Sequence, residues 1–266
     1  MAHRGASAYA PENTIEAYDL AIALGATTIE LDVHETLDGV LVVTHDDTID
    51  RTLRGPLSAA KKVSSYTWAE LSALDAGTWF NETHPERARP EYEGARVVRL
   101  IDVFERYGSE VSYFIELKHP PCSMGMEDEI VEHVRRLELS SFSRSKVFVG
   151  AFSQKCLHKI NDLDPGIGLV QLFHSYATSS AIRAYLAALP GYCTGIGPCK
   201  TAVEERLVAA ARRRGLGVFV WTVNDPHEMA DMIELGVEGI LTDFPDLLDE
   251  QFARSQVGRA RTRSPV

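Results

Sequence analysis

Two carboxylates sit two residues apart inside the apolar, β-branched segment Thr28-Ile29-Glu30-Leu31-Asp32-Val33. In a strand, side chains at i and i+2 leave the same face, so Glu30 and Asp32 point together. Charged groups in such a segment are costly unless they are paired or bound to a metal. A chain carrying them must fold so that cations or further ligands reach that one strand face. The pair Asp38-Gly39, flanked by apolar residues, predicts a two-residue hairpin turn and a returning strand. With Leu37 opposite Val40, that register sets Asp32 against His45 and builds a carboxylate–carboxylate–imidazole cluster.

Short apolar runs alternate with amphipathic stretches along the rest of the chain. Strands are predicted near Ala2–His3, Glu30–Val33, Ser112–Lys118, Lys146–Phe152, Ile167–Phe173, Thr194–Ile196, Gly217–Val223 and Gly239–Thr242. Helices are predicted over Thr14–Leu24, Leu100–Tyr107, Glu127–Leu139, Lys155–Leu163, Ser179–Leu189, Val203–Arg214, Pro226–Leu235 and Asp246–Arg254. Eight strands alternating with eight helices predict an α/β fold, a (β/α)8 TIM barrel, over an open doubly wound sheet. No GxGxxG or Walker-type loop opens a helix, which weakens the nucleotide-binding alternative.

Residues 47–98 depart from this plan. They hold turn residues, Trp68 and Trp79, and one short helical pattern at Thr67–Leu74. They predict a segment inserted after strand 2, above the barrel mouth. A single barrel domain is expected over 1–254, followed by a disordered basic tail, 255–266, with Arg259, Arg261 and Arg263. Only Met1 and Ala2 precede His3, whereas strands run about 5–6 residues. A native product with a few more apolar residues upstream is therefore expected.

A net charge of −11 argues against general binding to nucleic acid or anionic membranes, and any anionic substrate needs local cations or a metal. Cys122, Cys156, Cys193 and Cys199 show no CxxC spacing and read as buried or free thiols in a reducing compartment. No stretch spans a bilayer and no signal peptide is visible, so a cytoplasmic location without stable membrane association is expected. Oligomeric state is left open.

Barrel enzymes build their sites at the carboxyl ends of the strands. His3 and Arg4 end the first strand, Glu116 and Lys118 end the third on one face, and Trp221 ends the seventh. Glu30, Asp32 and Glu116, aimed into one mouth from adjacent strands, would repel one another unless a cation sat among them. Oxygen-only ligation selects one hard divalent cation, Ca²⁺ or Mg²⁺, over zinc. An aromatic such as Trp221 at a barrel mouth suits walling a substrate alcohol. Asn13 reads as structural near the first helix start, Asp46 as a supporting residue behind those that act directly, and Asp243 as a cap of the loop after strand eight.

Taken in order, the motifs His3-Arg4-Gly5, Pro11-Glu12-Asn13-Thr14, Glu30-Leu31-Asp32, Asp38-Gly39, His45-Asp46 with Arg51 downstream, Glu116-Leu117-Lys118, Val220-Trp221-Thr222-Val223-Asn224 and Thr242-Asp243-Phe244-Pro245 span nearly the whole chain. In this series the chain resembles the glycerophosphodiester phosphodiesterases. The resemblance implies a barrel with an insertion after strand 2, and release of an alcohol and sn-glycerol 3-phosphate from a small-molecule glycerophosphodiester. It also implies a metal held by Glu30, Asp32 and Glu116, acid–base catalysis by His3 and His45, and phosphate contacts from Arg4 and Lys118. Two other readings stand beside it. One is a lysophospholipase D-type hydrolase on the same site, which calls for a wide apolar ramp beside the mouth. The other is a catalytically silent phosphodiester-binding barrel, which would be expected to lack a ligand or a histidine.

Overall fold

A computed structural model describes residues 1–57, 61–118, 125–140 and 146–262, with side chains through 256. The strands are β1 (Thr28–Glu35), β2 (Leu41–Val43), β3 (Val98–Arg99), β4 (Ser112–Leu117), β5 (Val147–Ala151), β6 (Gly168–Leu172), β7 (Gly195–Gly197), β8 (Gly217–Val220) and β9 (Gly239–Ile240). β1 and β4 through β9 pair in parallel succession. Ala2 bridges Ile29 on one side and Thr242 on the other, so a single residue closes the ring as its first stave. The result is a (β/α)8 barrel.

The chain turns away from β1 after Ala2, which leaves the upper edge of β1 for another strand. β2 takes it, antiparallel, pairing Val33 with Val43 and Glu35 with Leu41. This register differs by one residue from the predicted hairpin. Asp32 faces Thr44, whose N–H donates to the Asp32 carbonyl at 2.9 Å. Gly39 (φ +82°) closes a longer turn in which Thr36 N–H donates to Val40 O, and the Thr36 hydroxyl donates to Asp38. Asp38-Gly39 is therefore not the central pair of a two-residue turn; the glycine occupies the left-handed position of a three-residue one.

Among the described residues, eight helices flank the barrel: α1 (Ile15–Ala23), α4 (Leu100–Tyr107), α5 (Met126–Arg136), α6 (Gln154–Leu163), α7 (Ser179–Leu186), α8 (Glu205–Arg212), α9 (Pro226–Leu235) and α10 (Pro245–Thr262). The Thr14 hydroxyl accepts from Ala17 N–H to start α1, and Gly25 (φ +90°) follows its end. α10 runs eight residues past its predicted end at Arg254. Alternating strand residues divide the core. Phe114, Val170, Leu172, Phe219 and Leu241 fill the barrel, while Ile115, Val149 and Leu169 pack against the helices. Among the described residues no helix is long and apolar enough to cross a membrane.

Between β2 and β3 the chain forms α2 (Trp68–Leu71), α3 (Thr78–Thr83) and two short 3-10 turns around a small core of its own that includes Ile49, Leu53, Leu71 and Leu74. Trp79 and Phe80 of α3 pack on Ala10 and Ala17 beside the first βα loop, which docks the insertion against that side of the mouth.

Gly5 fixes how that loop meets α1. It has φ +85°, and a Cβ there would lie 2.7 Å from the Ala17 backbone and side chain. Gly5→Ala is expected to cost more than about 2 kcal/mol, read as a lower urea midpoint at unchanged slope. An unchanged midpoint would show that the loop can relax away from α1.

Candidate active site at the barrel mouth

Parallel register sets the acidic cluster. Asp32 pairs with Glu116 and Glu30 with Phe114, so β1 and β4 present three carboxylates side by side. One oxygen from each of Glu30, Asp32 and Glu116 lies within 4.8 Å of the others. Glu30 and Asp32 are buried. Glu30 Oε2 accepts from the Arg4 backbone N–H at 2.7 Å, and Asp32 Oδ2 accepts from Asn13 Nδ2 at 2.9 Å. Arg4 and Asn13 both hold φ +58°, left-handed strain of the kind retained where surrounding contacts over-determine it. Arg4 Nε lies 3.2 Å from Asp32 Oδ2, and Lys118 Nζ lies 3.0 Å from Asp32 Oδ1 while donating to Glu116.

These neighbours drive the two buried acids in opposite directions. Burial, then the charges of Asp32 and Glu116, push Glu30 well above the usual carboxylate range. Burial opposes ionisation of Asp32 as well, but Lys118 and Arg4 outweigh it and hold that carboxyl well below its ordinary value. His45 and His3 add to the same effect, which puts both rings within electrostatic reach of Asp32.

Each ring is held by an aspartate. His3 Nδ1 lies 2.6 Å from Asp243 Oδ1, and Asp243 is itself fixed by Ser7 Oγ at 3.0 Å and Asn224 Nδ2 at 2.6 Å. His45 Nδ1 lies 2.6 Å from Asp46 Oδ1, and the His45 carbonyl accepts from His34 Nε2 at 3.3 Å. The His45 hydrogen bond, against a smaller cost of burial and with help from Arg51, keeps Asp46 well below the usual range. Burial opposes ionisation of Asp243, but its bonds to His3 and Asn224 prevail and lower it. An ionised aspartate only accepts, so each Nδ1 donates and each Nε2 is left for other chemistry.

Arg51, from the insertion, joins the two halves of this arrangement. Its guanidinium donates to both Glu12 oxygens at 2.7 and 2.8 Å and to Asp46 at 2.6 and 3.1 Å. Glu12 in turn accepts from Arg4 Nη1 at 2.9 Å. One side chain thus braces both the residue that holds His45 and the residue that orients Arg4.

The predicted His3, Arg4, Glu30, Asp32, Glu116 and Lys118 converge at this mouth. His45 arrives there by leaving β2 after Val43, not through the predicted strand register. Trp221 makes no hydrogen bond or ion pair to the cluster; its indole N–H donates to Gly197 O and its ring packs beside the inner barrel residues. Asp243 holds His3, beyond the loop-capping role read from the sequence, and Asn13 reaches Asp32. Glu12 and Ser7 were missed. The only signal for Glu12 was its place beside Asn13 in Pro11-Glu12-Asn13-Thr14.

The residues suit a hard cation. Glu30 Oε1 is buried without a hydrogen-bond donor, and all the candidate ligand atoms are oxygens. Imidazoles held by carboxylates beside an acidic cluster that could hold a metal, at the mouth of a (β/α)8 barrel, suit a hydrolytic enzyme. The family comparison makes this specific: the Glycerophosphoryl diester phosphodiesterase family matches residues 3–247, and the chain belongs to it. It is similar, at 37% identity over 249 residues, to the glycerophosphodiester phosphodiesterase of Bacillus subtilis strain 168, covering 93% of this chain and 84% of that protein. The crystal structure of a glycerophosphodiester phosphodiesterase from Agrobacterium tumefaciens matches with TM-score 0.73 at 30% identity, covering 94% of this chain and 97% of the other. An Oleispira antarctica phosphodiesterase, solved in complex with the product sn-glycerol-3-phosphate, matches with TM-score 0.75 at 26% identity over 95% of each chain.

Lys118→Met removes the cation that touches two of the three carboxylates. Breaking a largely buried ion pair this way typically costs about 3–5 kcal/mol. The variant is expected to unfold at clearly lower urea, with part of the loss restored by millimolar Ca²⁺ or Mg²⁺. Stability equal to the parent's would mean that the carboxylates are neutralised without Lys118.

Proposed function

We propose that this chain hydrolyses glycerophosphodiesters to sn-glycerol 3-phosphate and an alcohol, with His3 and His45 as the acid–base pair. Two imidazoles, each with its Nδ1 donated to an aspartate beside one buried acidic cluster, carry this reading. Arg4 and Lys118 would hold the anionic phosphate. Phosphoryl transfer places growing charge on the non-bridging oxygens, and preorganised cations in a water-poor mouth stabilise it. Glu30, Asp32 and Glu116 would hold one Ca²⁺ or Mg²⁺, which when bound supplies Lewis-acid stabilisation of that same charge.

The proton traffic falls to the rings. One Nε2 takes the proton of the attacking oxygen, and the other gives a proton to the departing alkoxide. An unperturbed imidazole titrates at about 6.5, near working pH, which suits both duties. Asp243 and Asp46 hold the tautomer that leaves Nε2 available and favour the imidazolium as it forms. Trp221, in this reading, walls the alcohol side of the mouth.

Chelator-treated protein is expected to be inactive and to release glycerol 3-phosphate from glycerophosphodiesters once Ca²⁺ or Mg²⁺ is restored. His3→Ala and His45→Ala are each expected to lower kcat by about a hundredfold or more, with unchanged circular dichroism. No release from glycerophosphocholine, glycerophosphoethanolamine, glycerophosphoinositol or glycerophosphoglycerol with either metal would overturn the reading.

A further inference from the structure

We propose that Arg87, carried by the insertion, is a positioning residue that keeps His3 aligned on Asp243 during the reaction. The inference rests on the hydrolysis proposed above and adds a residue to that same site. Arg51 ties the insertion to His45, and Arg87 ties it to the other imidazole.

Arg87 lies just beyond α3, where its backbone N–H donates to His84 O at 2.9 Å. Its side chain leaves the insertion and meets two loops of the barrel. One carries His3 and runs to α1; the other follows β9, carries Asp243 and leads into α10. Arg87 Nη1 donates to the Ala8 carbonyl. The guanidinium carbon lies 5.3 Å from the centroid of the Tyr9 ring and 6.0 Å from that of Phe244. Those two rings meet edge to face at 5.5 Å and 88°, so one cation covers an aromatic joint between the loops.

The joint adjoins the reacting pair along both segments. Ser7 Oγ lies 2.7 Å from the His3 carbonyl and 3.0 Å from Asp243 Oδ1. The N–H of Ala8 donates to the Asp243 carbonyl at 3.2 Å, and Phe244 is the residue after Asp243. Tyr9 adds a further tie, its hydroxyl donating to Asp246 at 3.0–3.1 Å. Arg87 thus grips Ala8 at its carbonyl while the Ala8 N–H holds Asp243, the acceptor of His3 Nδ1 at 2.6 Å.

Charge pairing does not account for this placement. Among the described residues the one salt-bridge partner of Arg87 is its neighbour Glu86, 3.7 Å away and 64% exposed, and such a pair contributes little. Nor does the insertion need Arg87 to stay docked. Trp79 and Phe80 pack on Ala10, and the Tyr92 hydroxyl donates to the Tyr9 carbonyl at 3.0 Å without it. What Arg87 adds is a cation shared by the two loops that between them set the His3–Asp243 contact. A displacement of about 1 Å at a reacting group can cost about a hundredfold in rate, so a loosened joint shows in turnover before it shows in folding.

Arg87→Ala is expected to lower kcat about tenfold on the best-cleaved glycerophosphodiester, with KM within about twofold and circular dichroism unchanged. In a His3→Ala background the same substitution should change kcat by less than about twofold, because the group it positions is gone. Arg87→Met, which keeps the stem against Tyr9, carries the same expectation should the alanine variant fold poorly. A second readout needs no turnover. The Nδ1 proton of His3 should give a low-field proton NMR signal, assigned by its loss in His3→Ala, that broadens away in Arg87→Ala. A kcat loss that persists undiminished without His3, a change confined to KM, or a His3 signal absent from the parent or unaltered in the variant would overturn the assignment. If the parent releases no glycerol 3-phosphate, the hydrolysis reading fails, and the proton signal alone decides the role of Arg87.

Discussion

Crowding of like charge organises this protein. Three carboxylates share one small volume at the barrel mouth, and two of them are buried where water cannot screen them. Such a cluster persists only if positive charge and aligned donors surround it. Arg4 and the Asn13 amide, both from the loop before α1, and Lys118 from the end of β4 meet that need, and Glu30 Oε1 is still left without a donor. The same concentration of acidic oxygens that makes the site expensive could hold a divalent cation.

The supporting shell is as informative as the cluster. Arg51 lies on the insertion, yet its guanidinium ties Glu12, which orients Arg4, to Asp46, which holds His45. The insertion is thus mechanically part of the mouth, and it keeps the second imidazole and Arg4 in a common frame. On the opposite side Asp243, from the loop after the last stave, does the same for His3. Both imidazoles depend on residues that come from other parts of the chain, so the geometry exists only once the barrel is closed.

Much of the fold was readable because barrel periodicity is local. Apolar runs marked the staves to within a few residues, and the observed helix ends fall at Thr14, Gly25 and Gly236, whose capping chemistry operates within a turn. The hairpin register was not readable in the same way. Asp38-Gly39 fits two turn types, and the choice fell on the one that lets the Thr36 hydroxyl engage Asp38 and the Val40 N–H. The one-residue slip changed the partner of Asp32 from His45 to Thr44, although His45 still reached the mouth by leaving the strand. The last helix also outran its prediction, since nothing in the composition of its basic end marks a stop.

What the amino-acid order settled alone is what neighbours along a strand can settle: Glu30 beside Asp32, Glu116 beside Lys118, and the alternation that makes a barrel. Those follow from a two-residue repeat and from short-range steric and hydrogen-bonding preferences. Pairing of His3 with Asp243, 240 positions away, and bracing of His45 through Arg51 to Glu12 were decided only in three dimensions. Contacts between distant segments depend on how the barrel closes around Ala2, and no local pattern encodes that closure.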